Sequence, residues 1–292
     1  MFARFDFTRP RTIVAAAVLI GALSGVGGAI FHSIATEPRV DEAIALEEAA
    51  AALAPTAEAG HGDEDEVSVS RSDQKGAGLF AAYALTGAAF GLFLGVTSLS
   101  LRTTAGGPFR RVVVSGAILA GAITIAPWLK YPPNPPAVGD PDTVGERERL
   151  FVLMIVLAAL VLAGLARLSA RLRNAEWPDD RRIAAVVVAG LMAFGVLFVA
   201  MPASPDALGV PANLVWQFRL NSLTGNLLVW TLLTLGLGVV WAEAVRRPVA
   251  ASASASASTS ASASALAAGG AAPDATGGAQ NSMPFSAEIP AS

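Results

Sequence analysis

Six separated apolar runs, each close to the length that crosses a bilayer, constrain this chain more than any other feature. They are Thr12–Ile34, Gly76–Ser100, Val112–Leu129, Leu150–Ala166, Ile183–Met201 and Leu223–Ala242. A helix crosses hydrocarbon in about 20 residues, with roughly 17 to 25 tolerated. None of the runs carries an acidic or basic residue in its middle, as the low dielectric there demands. Backbone polar groups in lipid must be bonded internally, so runs of this length are helices. The fold class that follows is all-α, a polytopic membrane protein with six transmembrane helices, an acidic external loop and Pro-rich external loops. Composition agrees, since 53% of residues are hydrophobic and 15% charged, against roughly 25% charged in soluble domains.

Basic residues tend to stay on the cytoplasmic side of a membrane. The N-terminus, the second and fourth loops and the segment after the last run hold 13 of the 20 Lys and Arg; the alternate loops hold 7. Both termini are therefore expected in the cytoplasm, in a cell (inner) membrane. The first run, at 23 residues, exceeds the roughly 7–15 apolar residues of a signal peptide and reads as a span. Residues 1–11 form a short N-terminus, 12–247 the membrane domain, and 248–292 an Ala/Ser-rich tail of almost no charge. Such a tail buries too little apolar surface to offset its ordering entropy and is expected to be disordered.

With no cysteine, disulfides, thiolate metal sites and Cys nucleophiles are excluded. Walker A, H-E-x-x-H, G-x-S-x-G and G-x-G-x-x-G motifs are missing, so an enzyme is not expected and any energy source is a gradient or another subunit. No basic stretch interleaved with aromatics suggests nucleic acid, and no bound cofactor is implied. The bilayer is the one partner composition demands.

Candidate chemistry gathers on the expected outer side. From Ala35 to Lys75 there are eleven acidic and three basic residues, a local charge near −8 that concentrates cations. Within it His61 sits beside Asp63 and Asp65, and imidazole with carboxylates suits divalent first-row metals. The alternative is a solvated loop that keeps the surface polar. His32, near the outer end of the first run and followed by Glu37 and Asp41, is a second candidate metal-ligating group; equally, it can be an interfacial histidine bonded to a neighbouring helix. The segment from Val40 onward has good helix formers and should extend outward as an acidic helix.

Gly87, Gly91 and Gly95 recur at four-residue spacing on the second run, and Gly21, Gly25 and Gly28 give the first run a similar face. Small residues so spaced permit close helix contact, either as plain packing or as a seam that slides in transport. Four of the five residues Pro132–Pro136 are proline, so this connector can be neither helix nor central strand. Its unpaired carbonyls can face a cation path or dock other loops; the alternative is a rigid strut packed against the first loop. In the last external loop Trp216, Phe218 and Trp230 read as interfacial aromatics, and Arg219 is expected to pair with Glu146 or Glu148.

The segments "EPRVDEAIALEEA", "HGDEDEVSVSRSDQKGAGLFAAYALTGAAFG", "APWLKYPPNPPAVGDPDTVGERERLF" and "WQFRLNSL" together resemble the CbtA family of membrane proteins, from about Thr12 to Arg247. The resemblance implies a cobalt transporter subunit acting with a small single-span, histidine-rich CbtB-type partner, and Co²⁺ as the transported ion. Glu37, Glu48, His61, Arg71, Gln74, Tyr131, Asn134, Arg147 and Arg219 are the positions it marks in the loops. Arg71 and Gln74 are expected to bond loop carbonyls or acids; Tyr131 and Asn134 are the polar members of the proline connector. The reading is a subunit of a divalent-cation uptake permease; the alternative is a non-transporting scaffold or assembly factor that docks a membrane partner through its glycine faces.

Overall fold

A computed structural model describes residues 9–53, 70–101, 107–136, 138–139, 141–204 and 209–269. Every regular element among them is helical. In chain order these are α1 (Pro10–Ala35), α2 (Glu37–Leu53), α3 (Arg71–Ser100), α4 (Pro108–Lys130), α5 (Val144–Asn174), α6 (Asp179–Ala200) and α7 (Ala212–Gly269). Six helices, all but α2, are long and apolar enough to cross a membrane, and each overruns its apolar run at one or both ends. The surplus turns carry polar residues such as Arg71, Glu146 and Arg171, which lengthen the helix without adding hydrophobic length.

The chain divides after Val245 into two compact units. In the second, the Ala/Ser-rich stretch expected to be disordered is helical as far as Gly269. Alanine is the strongest helix former, and its alternation with serine there leaves no glycine or proline between Ala250 and Ala268.

Within the first unit, α1, α3, α4 and α7 enclose one core, with Ile20, Leu94, Val112, Trp230 and Leu237 buried in it. Helix α4 turns its other face to a second core made with α5 and the end of α6, around Ala122, Met154 and Met201. Helix α6 itself has no fully buried residue: Phe194 and Leu197 pack against the second core, and exposed side chains such as Val187, Leu191 and Val199 are left for lipid.

Two irregularities have local causes. Helix α4 contains Pro127, whose ring would clash with the carbonyl four residues back and whose missing N–H breaks the ladder. A π-turn over Gly121–Ile125 widens the helix just upstream. Helix α3 opens on Ser70, whose Oγ accepts from the Asp73 amide at 3.1 Å, and a π-turn over Gln74–Gly78 follows, with non-helical backbone at Gly76.

Candidate functional site

Two groups of polar contacts between elements lie at one end of the bundle, where α1, α4 and α6 finish and α3, α5 and α7 begin. The first group joins α1, α2 and α3. Thr36 turns α1 into α2, and the cap at Ser70 starts α3 with Arg71 facing α2. Arg71 Nη2 donates to Glu37 Oε2 and, at 3.1 Å, to Asp41 Oδ1; Lys75 Nζ reaches Asp41 Oδ2 at 3.1 Å. The Lys75 ammonium, and then Arg71, hold the Asp41 carboxyl below its usual range. Exposed ion pairs contribute little, about 0–1 kcal/mol each. Their effect here is positional, since two cations clamp the acidic helix to the head of α3.

His32 lies one turn inside this clamp and is 3% exposed. Its Nδ1 shares a 2.8 Å hydrogen bond with Thr36 Oγ1, and its ring stacks on Tyr83 at 4.6 Å between centroids. Nε2 is buried without a hydrogen-bond partner and points at Gly225, where a Cβ would strike the imidazole. Asn221, one turn earlier on α7, donates to the Ala35 carbonyl at 2.6 Å and satisfies a C-terminal acceptor of α1. His32, Glu37 and Asp41, candidates for one metal, thus have different surroundings: the imidazole faces α7, while both carboxylates face Arg71. No group of three or more His, Asp or Glu able to hold a metal occurs among the described residues. His61, Asp63 and Asp65 lie outside them, and Glu48 is an exposed residue of α2.

The second group is built on the proline connector. Residues 132–135 have no regular structure, Pro135 is fully buried, and Gly139 takes a positive φ of 101°, a backbone region that favours glycine. Tyr131 Oη donates to the Pro202 carbonyl at 2.8 Å, and burial raises its phenol above the ordinary range. Lys130 Nζ donates to the Phe198 carbonyl, and Trp128 Nε1 to the Arg219 carbonyl, each at 2.9 Å. Arg219 Nη2 donates to Asn134 Oδ1 at 2.6 Å, and Arg147 Nη1 to the Val138 carbonyl at 3.3 Å. Among the described residues, the connector thus docks on the end of α6 and the head of α7. Arg219 serves that docking through Asn134, where a glutamate was expected. Gln74 uses its N–H on the Ser70 carbonyl as α3 begins.

The glycine ridge of α3 meets α1. A Cβ at Gly87 would lie 2.9 Å from both N and Cα of Gly25, and one at Gly91 2.7 Å from the Ala17 carbonyl carbon. Gly95 faces Ala17 and Val14. Trp230, expected at the interface, is instead buried: it stacks on Phe90 at 4.5 Å and donates to Thr124 Oγ1 at 2.9 Å. The π-turn in α4 presents Thr124 to it. Trp216, by contrast, is 55% exposed. Sequence reasoning missed Tyr83, Thr124, Asn221, Gly225 and Asn226; a usable signal was polar residues inside or beside apolar runs.

Six candidate spans joined at one end by side-chain and carbonyl contacts define a multi-pass, all-helical membrane protein. A family model described as "Probable cobalt transporter subunit (CbtA)" matches residues 10–242, and the chain belongs to the CbtA family. Neither curated proteins nor solved structures yield a match.

Proposed function

We propose that the chain is the membrane-spanning subunit of a permease that takes up divalent cations, with cobalt as the cargo. The observation that carries this reading is the family match, which runs through all six spans. In this reading both termini are cytoplasmic, in the inner membrane, because the termini and the loops at the other ends of the helices together hold most of the arginines. The clamp and the proline connector then face outside, where the acidic loop raises the local cation concentration. His61, Asp63 and Asp65 serve as collectors there.

Arg71 and Lys75 compete with a cation for Glu37 and Asp41, so loading those carboxylates would loosen the clamp. His32 offers an imidazole nitrogen one turn inside, and a role as ligand requires α7 to withdraw Gly225 from its Nε2. A single-span, histidine-rich CbtB-type subunit supplies further imidazoles, of which this chain has only two.

The test is radiolabelled cobalt uptake in cells lacking other cobalt importers, with and without that partner, for the wild type and His32→Ala. Uptake that requires this chain and falls in the variant supports the permease with its path beside α1. Uptake unchanged in the variant keeps the permease and removes His32 from the path. No uptake, from protein demonstrated in the membrane, favours the scaffold.

A further inference from the structure

Two adjoining cavities lie beneath and beside the proline connector. The outer one, about 350 Å³, is walled by Tyr131, Pro133, Asn134, Glu148 and Ser204 among others. The inner one, about 300 Å³, reaches between α3, α4, α5 and α7 and presents Thr124, Ser222 and Asn226 among aromatic and aliphatic walls. Pro133 and Phe151 line both. We propose that this pair is a vestibule that admits a divalent cation with its water shell still attached. The proposal rests on the permease reading and gives that reading a route into the bundle away from His32.

Size is the first argument. Six waters at about 30 Å³ each occupy roughly 180 Å³, which either cavity accommodates. Chemistry is the second. A hydrated cation presents O–H donors outward, so its walls need acceptor oxygens rather than a set of direct metal ligands. That matches a structure whose described residues hold no group of three metal-binding side chains. The outer cavity offers the Glu148 carboxylate, and prolines there have carbonyls but no N–H donors.

In the inner cavity Asn226 gives its Nδ2 to the Ser222 carbonyl at 2.9 Å. A carbonyl only accepts, so the amide is oriented and its Oδ1 is an acceptor with lone pairs to offer. The π-turn at Gly121–Ile125 brings Thr124 to the same space, and such turns concentrate at functional places in helices.

Charge is the third argument. Arg147 lines the outer cavity too, but its guanidinium is drawn to the Val138 carbonyl, and Glu148 supplies the opposite charge. Largely apolar walls with a few acceptor oxygens and one opposed pair of charges would hold a hydrated ion weakly enough to leave.

Because the chain has no cysteine, single cysteines test this directly. Ser222→Cys, nearly isosteric, and Thr124→Cys probe the inner cavity; Leu191→Cys on α6, 72% exposed on a helix with no buried residue, is the lipid-facing control. Each is treated in intact cells with membrane-impermeant methanethiosulfonates, one cationic and one anionic, with and without millimolar Co²⁺. The expected result is labelling of both cavity cysteines about tenfold faster than Leu191→Cys, faster with the cationic reagent, and slowed by Co²⁺. Labelling no faster than the control overturns the vestibule, because the cavities are then filled by lipid. Fast labelling indifferent to reagent charge and to Co²⁺ also overturns it, because the cavities then hold only water. Wild-type uptake is measured alongside. Its absence with Co²⁺-sensitive labelling refutes the permease and not the cation-binding cavity; its presence without labelling does the reverse.

Discussion

Replacing Gly87 by alanine should loosen the whole α1–α3 seam. The new Cβ would lie 2.9 Å from N and Cα of Gly25 and closer still to the Gly21 carbonyl oxygen. Backbone on a facing helix cannot rotate away as a side-chain tip can, so the two helices must part by roughly 0.5–1 Å, a gap that forfeits a quarter to a half of each dispersion contact. At about 0.1–0.2 kcal/mol per atom pair over about 30 pairs, the loss is about 1–3 kcal/mol. This equals the usual penalty for overpacking. For a chain of this size that is a fall in Tm of roughly 3–10 °C, read from tryptophan fluorescence of detergent-purified protein. Once the helices have parted, a second alanine meets less resistance, so Gly87→Ala with Gly91→Ala should cost less than the sum of the two. Gly164→Ala and Gly195→Ala, where a Cβ meets nothing within 4 Å, are the controls and should be neutral or slightly stabilising. A Gly87→Ala protein as stable as the wild type, or controls equally damaged, would refute the close-contact argument.

Gly225→Ala should destabilise the bundle by driving a methyl into the His32 ring, and His32→Ala in the same chain should recover part of the loss; additive effects in a double-mutant cycle would deny the contact. Arg71→Glu should release α2, seen as faster motion of a spin label at Ala45→Cys, and adding Glu37→Arg should slow it again; a label that ignores both changes would show that the clamp does not hold α2. The same label should report pH. Because Lys75 and Arg71 depress the Asp41 carboxyl below its usual 3.8, its pairing is complete at neutral pH and fades only as pH falls through that lowered value. Loosening already near pH 6 would assign the clamp to some other group.

The six spans were legible in the sequence because lipid leaves one solution for an apolar run of that length, and the glycine ridges because four-residue spacing places them on one helix face. The acidic helix after Val40 and the irregular backbone of the proline connector were legible for similarly local reasons, namely propensity and the missing N–H. Helix was missed after Pro248, because low complexity argued for disorder while alanine content argued for helix, and the latter prevails as far as Gly269.

Everything that depends on which helix faces which was decided only by tertiary structure. Hydropathy does not tell that Trp230 turns inward to Thr124, that Arg219 meets Asn134 rather than a glutamate, or that the connector docks on α6 and α7. Nor does it tell that His32 parts company with Glu37 and Asp41, since its ring follows the α1 face packed on Tyr83 and Gly225 while the carboxylates follow α2 to Arg71. Apolar periodicity sets how each helix meets lipid; the pairing of polar groups between helices depends on their rotation and depth, which are set only when the bundle packs.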